Sequence, residues 1–454
     1  MRSILFGSFL FLLFQSIHAQ SDSAFIGKIA DEIFRHSKAY NNLHTLTKTV
    51  GPRLSGSPQT YTSEKWAEEA LKQAGADQVW LQKAMIPHWV RGGKDEAALI
   101  TGNNRSSLAV IALGNSVSTP AGGITAPVIL IKDFNELERR KSEVAGKIVF
   151  YNHPFNVDFV ELFSAYGEAV PYRVDGASRA AKYGALASVT RSMSCSVDNY
   201  PHTGAMIYND SFPKIPALAI GLQDADRLAV LASGQHDLKL YVSTLAHALS
   251  DTVGYNVIGE WKGTELPDEY ITIGGHLDSW DPAEGASDDG TGCVHSIEVL
   301  RALKALGYKP RHTIRIVLFT DEENGGRGTK AYSEAARTKK EKHIFALESD
   351  GGGFTPRGFS FMCSEAQLAR LKSYIPLLTP YGVTKFIGGH AGADVEPLHE
   401  ATGAVAAELM PDSQRYFDYH HAANDVFEKV NKRELELGAI NMAALVYLID
   451  KYGM

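Results

Sequence analysis

With 454 residues, 44% of them hydrophobic and 21% charged, the chain has the balance of a globular protein long enough for about two or three domains. Its net charge of −7 gives no case for nucleic acid or an acidic membrane surface as partner. Cys195, Cys293 and Cys363 are too few for a disulfide scaffold or a Cys-rich zinc site, so any metal must be held by His, Asp and Glu.

The first residues read as an export signal. Arg2 supplies the positive end, Ile4 to Phe14 form an apolar core, and Ile17-His18-Ala19 has the small-residue pattern of a cleavage site. The expected signal is residues 1–19, with the mature chain starting at Gln20. The apolar run is too short for a good membrane span, no second long one follows, and no Cys near the cut offers a lipid anchor. The protein is thus read as exported, secreted or periplasmic, with no membrane span.

A helix is expected from about Ser23 to Tyr40, followed by the turn-rich GPRLSGSP (Gly51 to Pro58). Thr62 to Ala74 has an amphipathic pattern with Trp66, Ala70 and Leu71 on one face, and Val79 to Pro87 reads as a strand. From about Asn104 to His247 the texture changes to short β-like runs at Leu108 to Leu113, Ala126 to Ile131, Lys147 to Tyr151, Ala185 to Thr190 and Ile215 to Ile220. This stretch reads as an inserted α/β domain with few candidate catalytic groups. Strands and helices then alternate: Tyr270 to Ile273, Gly292 to Leu306, Thr313 to Phe319, Thr329 to Lys339, His343 to Glu348, Glu365 to Leu378 and Gly403 to Leu409, with a last helix from about Lys432 to Lys451. Apolar strands without polar alternation are buried on both faces, so the fold class is α/β with a mainly parallel central sheet flanked by helices. The expected domains are 20–104 and 248–454, forming one catalytic unit, and 105–247, the insert.

Acidic residues and histidines gather at the strand ends, where open α/β sheets bind ligands. His276 and Asp278 follow the strand at Tyr270. In a strand, positions i and i+2 point the same way, so the Asp278 carboxylate can support the His276 imidazole and leave its other nitrogen free for a metal. Asp321, Glu322 and Glu323 follow the strand at Thr313, and Asp350 follows the strand at His343. With the loop GASDDGTG (Gly285 to Gly292) and the pair His420-His421, this set points to a metal site. Two zinc ions suit it better than one: Asp288, Glu323 and Asp350 with a bridging hydroxide balance four positive charges, and the histidines bind as neutral ligands. Of the adjacent Glu322 and Glu323, one can bind metal while the other serves as general base.

The ordered set GGHLDSWD, GASDDGTG, TDEENGG, ESDGG and YHHAAND resembles the co-catalytic dizinc exopeptidases of the aminopeptidase Y type. GPRLSGS, IPHW (from Ile86), ALAS (from Ala185) and PHTG (from Pro201) resemble their plasma glutamate carboxypeptidase branch, over nearly the whole mature chain. The resemblance implies two zinc ions per chain. His276 and Asp350 would complete one site, Glu323 and a C-terminal His the other, and Asp288 would bridge. Asp278 would orient His276, Glu322 would be the general base, and the Asp288–Asp289 peptide would be cis. The family places an Asp four residues after its C-terminal ligand; Asp425 selects His421 over His420, although Val426 stands where the family often has Thr. The insert resembles a protease-associated domain. IGGHAGADVEPL (Ile387 to Leu398) resembles a pocket loop in which His390 and Asp394 would contact substrate termini. Dipeptides or short peptides are the implied substrates, and a homodimer the implied assembly. The resemblance leaves carboxypeptidase, dipeptidase and aminopeptidase directions open.

Three rivals are weaker. The nucleophile elbow G-x-S-x-G of many serine hydrolases does not occur, and Cys293 starts an apolar helix face. A glutaminyl cyclase, an acyl-transfer enzyme of the same fold, would use one zinc. A non-catalytic binding protein would have lost ligands, whereas every ligand position is filled.

Overall fold

The computed structural model of the protein describes residues 21–234 and 238–454; the expected signal and the expected cleavage site lie outside them. The described strands form two eight-stranded sheets. The first has the order β1-β10-β12-β11-β13-β16-β14-β15, built from β1 (Gln78–Val90), β10 (His247–Trp261), β11 (Leu266–His276), β12 (His312–Phe319), β13 (Lys342–Glu348), β14 (Pro356–Met362), β15 (Lys385–Gly388) and β16 (Val405–Pro411). Its middle strands β12, β11, β13 and β16 run parallel, and antiparallel pairings flank them on both sides. The parallel core is the part that the apolar runs predicted. All of β12, and β11 from Ile271 onward, are buried, as helices on both faces require.

The helices are set by local chemistry as well as by burial. Ser57 caps the helix Pro58–Ala74 by accepting from the Thr60 amide, with Pro58 in the first turn, where a missing N–H costs nothing. The last helix, Lys432–Tyr452, is buried over most of its length and packs on the helix Thr291–Ala305. Buried Asp450 pins it to the start of β12, accepting from the Arg311 and His312 amides at 2.9 Å each and from the Tyr308 hydroxyl at 2.6 Å. At its other side Asp22 accepts from Tyr447, Lys451 and Tyr452, tying down the helix over 21–36. No described helix is long and apolar enough to cross a membrane.

The second sheet has the order β3-β2-β9-β5-β6-β7-β8-β4. Its strands are β2 (Glu96–Thr101), β3 (Asn104–Leu108), β4 (Val110–Ala112), β5 (Ile124–Ile131), β6 (Ile148–Tyr151), β7 (Ala187–Arg191), β8 (Ala217–Ile220) and β9 (Lys239–Ser243). It therefore opens at Glu96, ahead of the change of texture read at residue 104, because β2 pairs with β3 and β9 rather than with β1. Three further departures concern the first sheet. The expected helix Glu365 to Leu378 is broken into Glu365–Lys372 and Ile375–Leu378, with Pro376 opening the second piece. The strands β14 and β15 fall in segments read as connections. The long β10 was not expected, because its first third, His247–Asp251, is exposed and carries no apolar run.

Candidate metal centre

The carboxyl ends of β11, β12 and β13 deliver the predicted side chains to one place. His276 is the last residue of β11, and its Nε2 lies 3.3 Å from Asp288 Oδ1 and 3.3 Å from Asp350 Oδ1. His421 Nε2 lies 3.2 Å from Asp288 Oδ2 and 3.0 Å from Glu323 Oε2. Asp288 thus stands between two half-sites, one with His276 and Asp350, the other with His421 and Glu323. The neighbouring His420 has its Nε2 3.9 Å from Asp288 Oδ2 and stacks on His421 with ring centroids 3.6 Å apart. Tyr166, Tyr416 and Phe417 crowd around the His420 ring. Either histidine is near enough to be a ligand, but His421 alone points between two carboxylates.

The fit to metal rests on atoms that have no other partner. His276 Nε2, Asp288 Oδ2, Glu323 Oε1 and Asp350 Oδ1 are buried without a hydrogen bond among the described residues. Buried polar atoms are normally paired, so four orphans converging on one point mark a site for a cation. The electrostatics agree. Burial pushes Glu322 well above the usual carboxylate range, raises Glu323, and lifts Asp350 to about 7. Burial would do the same to Asp288, but the His276 and His421 imidazoles beside it hold it well below its ordinary value. Burial pulls His421 down, yet Glu323 and Asp288 outweigh that and set it at about 9. These carboxylates call for positive charge between them, and His nitrogens with carboxylate oxygens are the kind of donor set that binds zinc.

Surrounding groups position the cluster. Asp278 does not play the part that the strand argument predicted. β11 ends at His276, so Asp278 lies beyond the pleat, and His276 Nδ1 meets the Asp278 backbone carbonyl at 3.0 Å while the carboxylate stays 3.7 Å away. The Asp278 carboxylate instead accepts from the Glu322 amide at 3.1 Å, the Glu323 amide at 3.2 Å and the Ser55 hydroxyl at 3.0 Å. It holds the loop that carries both glutamates. Asp425 does the same for the bridge, accepting from the Ser287 amide at 2.7 Å and the Asp288 amide at 3.2 Å. Asp289 accepts from the His276 amide at 3.0 Å and the Gly292 amide at 2.8 Å. A Cβ at Gly275 would collide with that Asp289 carboxylate, which is why glycine precedes His276. The Asp288–Asp289 peptide is cis.

The segment GPRLSGS gains a physical role here. Fully buried Arg53 donates to the carbonyls of Leu277 at 2.6 Å, Glu284 at 2.6 Å and Gly285 at 2.9 Å, binding together the two loops that carry Asp278 and Asp288. Cys293 is in the core, its thiol 3.0 Å from the His276 carbonyl, and none of the three cysteines is bridged.

The cluster opens into a cavity of about 360 Å³ lined in part by Asp288, Glu322, Glu323, Asp350, Glu408 and His421. The far wall comes from the second sheet's portion of the chain: Phe163, Tyr166 and Arg173 of the helix Leu162–Val174, with Ala205 and Ile207. This portion was expected to hold few candidate catalytic groups, and what it adds here is cavity wall. Thr203, in PHTG, receives the His421 Nδ1–H at 3.2 Å through its carbonyl, and its amide donates to the His421 carbonyl at 2.9 Å. Tyr166, Arg173 and Thr203 were invisible as site residues because they lie far in sequence from the His, Asp and Glu cluster; the PHTG segment was the one available signal. The pocket loop also differs from expectation. Asp394 is fully buried, its carboxylate engaged by the Thr329 hydroxyl and off the cavity wall. His390 is half exposed, with Nδ1 3.6 Å from Glu408 Oε2.

The pattern of Peptidase family M28 matches residues 256–446. The chain is 37% identical to carboxypeptidase Q of Mus musculus, over 91% of this chain and 86% of that protein. Its structure is similar to that of a Peptidase M28 precursor from Shewanella amazonensis SB2B, with a TM-score of 0.90 and 31% identity over 95% of this chain and 97% of the other. A zinc aminopeptidase from Bacillus subtilis has a similar fold, with a TM-score of 0.64 and 20% identity over 90% of this chain and 94% of its own.

Proposed function

The chain belongs to peptidase family M28 and is a metallo-exopeptidase, and from that premise we propose that it removes terminal residues from dipeptides or short peptides with two zinc ions per chain. The observation that carries the reading is the convergence of four unpartnered ligand atoms on His276, Asp288, Glu323 and Asp350, with His421 Nε2 facing two of those carboxylates. His276 and Asp350 would hold one ion and His421 and Glu323 the other, with Asp288 placed between the two pairs. When bound, the zinc pair supplies Lewis acidity for the scissile carbonyl and a lowered pKa for the attacking water.

Glu322 is the general base. It sits at the cavity wall, with Oε2 3.9 Å from His276 Nε2, and its amide is fixed by Asp278. Burial raises its proton affinity, so as the ionised carboxylate it takes a proton from water and passes it to the leaving amine. Water oxygen bonds to the carbonyl carbon, the carbon–nitrogen bond breaks, and the amine departs with the proton from Glu322. Asp278 acts by positioning Glu322 and Glu323. Residues 105–247 act as a protease-associated insert that forms one wall of substrate access; the cavity residues of the helix Leu162–Val174 support this. Export after cleavage near Ala19, and assembly as a homodimer, belong to the same reading.

The test joins metal analysis to turnover. Wild-type protein is expected to carry two zincs by elemental analysis and to release amino acids from short peptides. Glu322→Ala is expected to retain both zincs while kcat falls by about 10²–10⁴-fold. Full activity in that variant, or in chelator-treated wild type, overturns the assignment.

A further inference from the structure

We propose that Trp280 is a positioning residue for the His421 half of the centre: its indole ring seats the His421 imidazole, and its N–H reaches the Asp288 and Glu323 carboxylates through one water. This rests on the dizinc reading above and adds to it a residue outside the ligand set. His421 needs such a seat. Its backbone is in the left-handed region, with φ of 59°, which a histidine keeps only where its surroundings impose it. Thr203 fixes its backbone and Nδ1, and His420 covers one face of the ring. A Cβ at Gly204 would collide with the Arg173 guanidinium and come within 2.7 Å of His421 Nδ1. Trp280 closes a further side edge-on, with ring centroids 5.8 Å apart and planes at 60°.

The Trp280 ring is itself held from both sheets' portions of the chain. It is 3% exposed and packs edge-to-face on Trp89 at 6.2 Å, with Leu54, Ala112 and Ala246 in the same cluster. Gly114 makes room for it, since a Cβ there would lie 1.8 Å from the ring. At the next residue, Arg91 Nε and Nη2 donate to the two Asp281 oxygens at 2.7 and 2.5 Å.

Packing does not account for the indole nitrogen. Nε1 is buried with no acceptor among the described residues. Trp280 lines a cavity of about 10 Å³ together with Gly285, Asp288, Glu323, His421 and Asp425, among others. That is room for about one water. The unpartnered buried side-chain atoms of these lining residues are one donor, Trp280 Nε1, and two acceptors, Asp288 Oδ2 and Glu323 Oε1. A carboxylate has lone pairs enough to face a metal and still accept from water. A water that accepts from the indole and donates to a carboxylate satisfies the donor. It also orients a ligand from behind, as outer hydrogen bonds do around zinc.

The test is Trp280→Phe, which keeps an aromatic ring against His421 and removes the N–H. Calorimetric zinc titration of the metal-free protein is expected to show one of the two ions bound about 10- to 100-fold more weakly than in wild type, with the other little changed. Wild-type affinity for both ions overturns the proposal. A melting temperature lowered alike with and without zinc would then make Trp280 core packing only. Where the variant does not fold, a crystal structure of the zinc-loaded wild type decides. A water within hydrogen-bond distance of Trp280 Nε1 and of an Asp288 or Glu323 oxygen supports the proposal, and an indole N–H without one overturns it. Wild type that binds fewer than two zincs removes the dizinc reading itself, and the proposal with it.

Discussion

A single carboxylate, Asp278, holds together the parts of the site that do the proposed proton transfer. Its two oxygens receive the amides of Glu322 and Glu323 and the hydroxyl of Ser55, so it fixes the proposed general base and a proposed metal ligand at once. Asn in its place keeps one acceptor oxygen and turns an NH₂ toward the remaining donors. Asp278→Asn is therefore expected to lower kcat/KM by about 10- to 100-fold, as loss of supporting groups around metal sites does, with steady-state kinetics as the measurement. The predicted ligands were legible because His, Asp and Glu at three successive strand ends are rare by chance and have one shared chemistry. The contact made by Asp278 was not, because it depends on β11 ending two residues earlier and on a loop 44 residues away folding back over it.

Among the elements, the segment 201–204 joins the second sheet's portion of the chain to the loop that carries His421. Thr203 makes two backbone bonds to His421 and donates its hydroxyl to the Ala112 carbonyl at the end of β4. Gly204 has φ of 130°, a conformation that side chains rarely adopt. Gly204→Ala is expected to destabilise the protein by about 1–3 kcal/mol, read as a lower denaturant midpoint, and to displace Arg173 and His421 so that bound zinc falls below wild type in elemental analysis. Elements with strong periodic patterns, such as Pro58–Ala74 and Lys432–Tyr452, were readable from their residues. The strands β14 and β15 were not, since PRGFSFM and KFIG are short and their strand state comes from pairing with each other and β14 with β16. Edge pairing of this kind is a tertiary choice, and local propensity does not specify it.

Over the whole molecule, folding brings Asp288, Glu322, Glu323, Asp350 and Glu408 to one cavity. Their mutual repulsion makes the folded state depend on positive charge at the centre. Saturating zinc is expected to stabilise the native state, and removing it with a chelator should lower the melting temperature on the order of 5 °C, reversed by added zinc and read by calorimetry. An unchanged melting temperature would separate this carboxylate cluster from metal binding. The sequence alone determined the α/β class, the parallel core and the candidate His, Asp and Glu cluster, because buried strands need continuous apolar runs and metal sites need particular side chains. Only the tertiary structure decided which histidine of His420-His421 points between carboxylates, where Asp278 turns, and that Arg173 and Tyr166 face the site. Those outcomes depend on how distant loops pack against one another, and burial, rather than residue type, selects among the chemically equivalent alternatives.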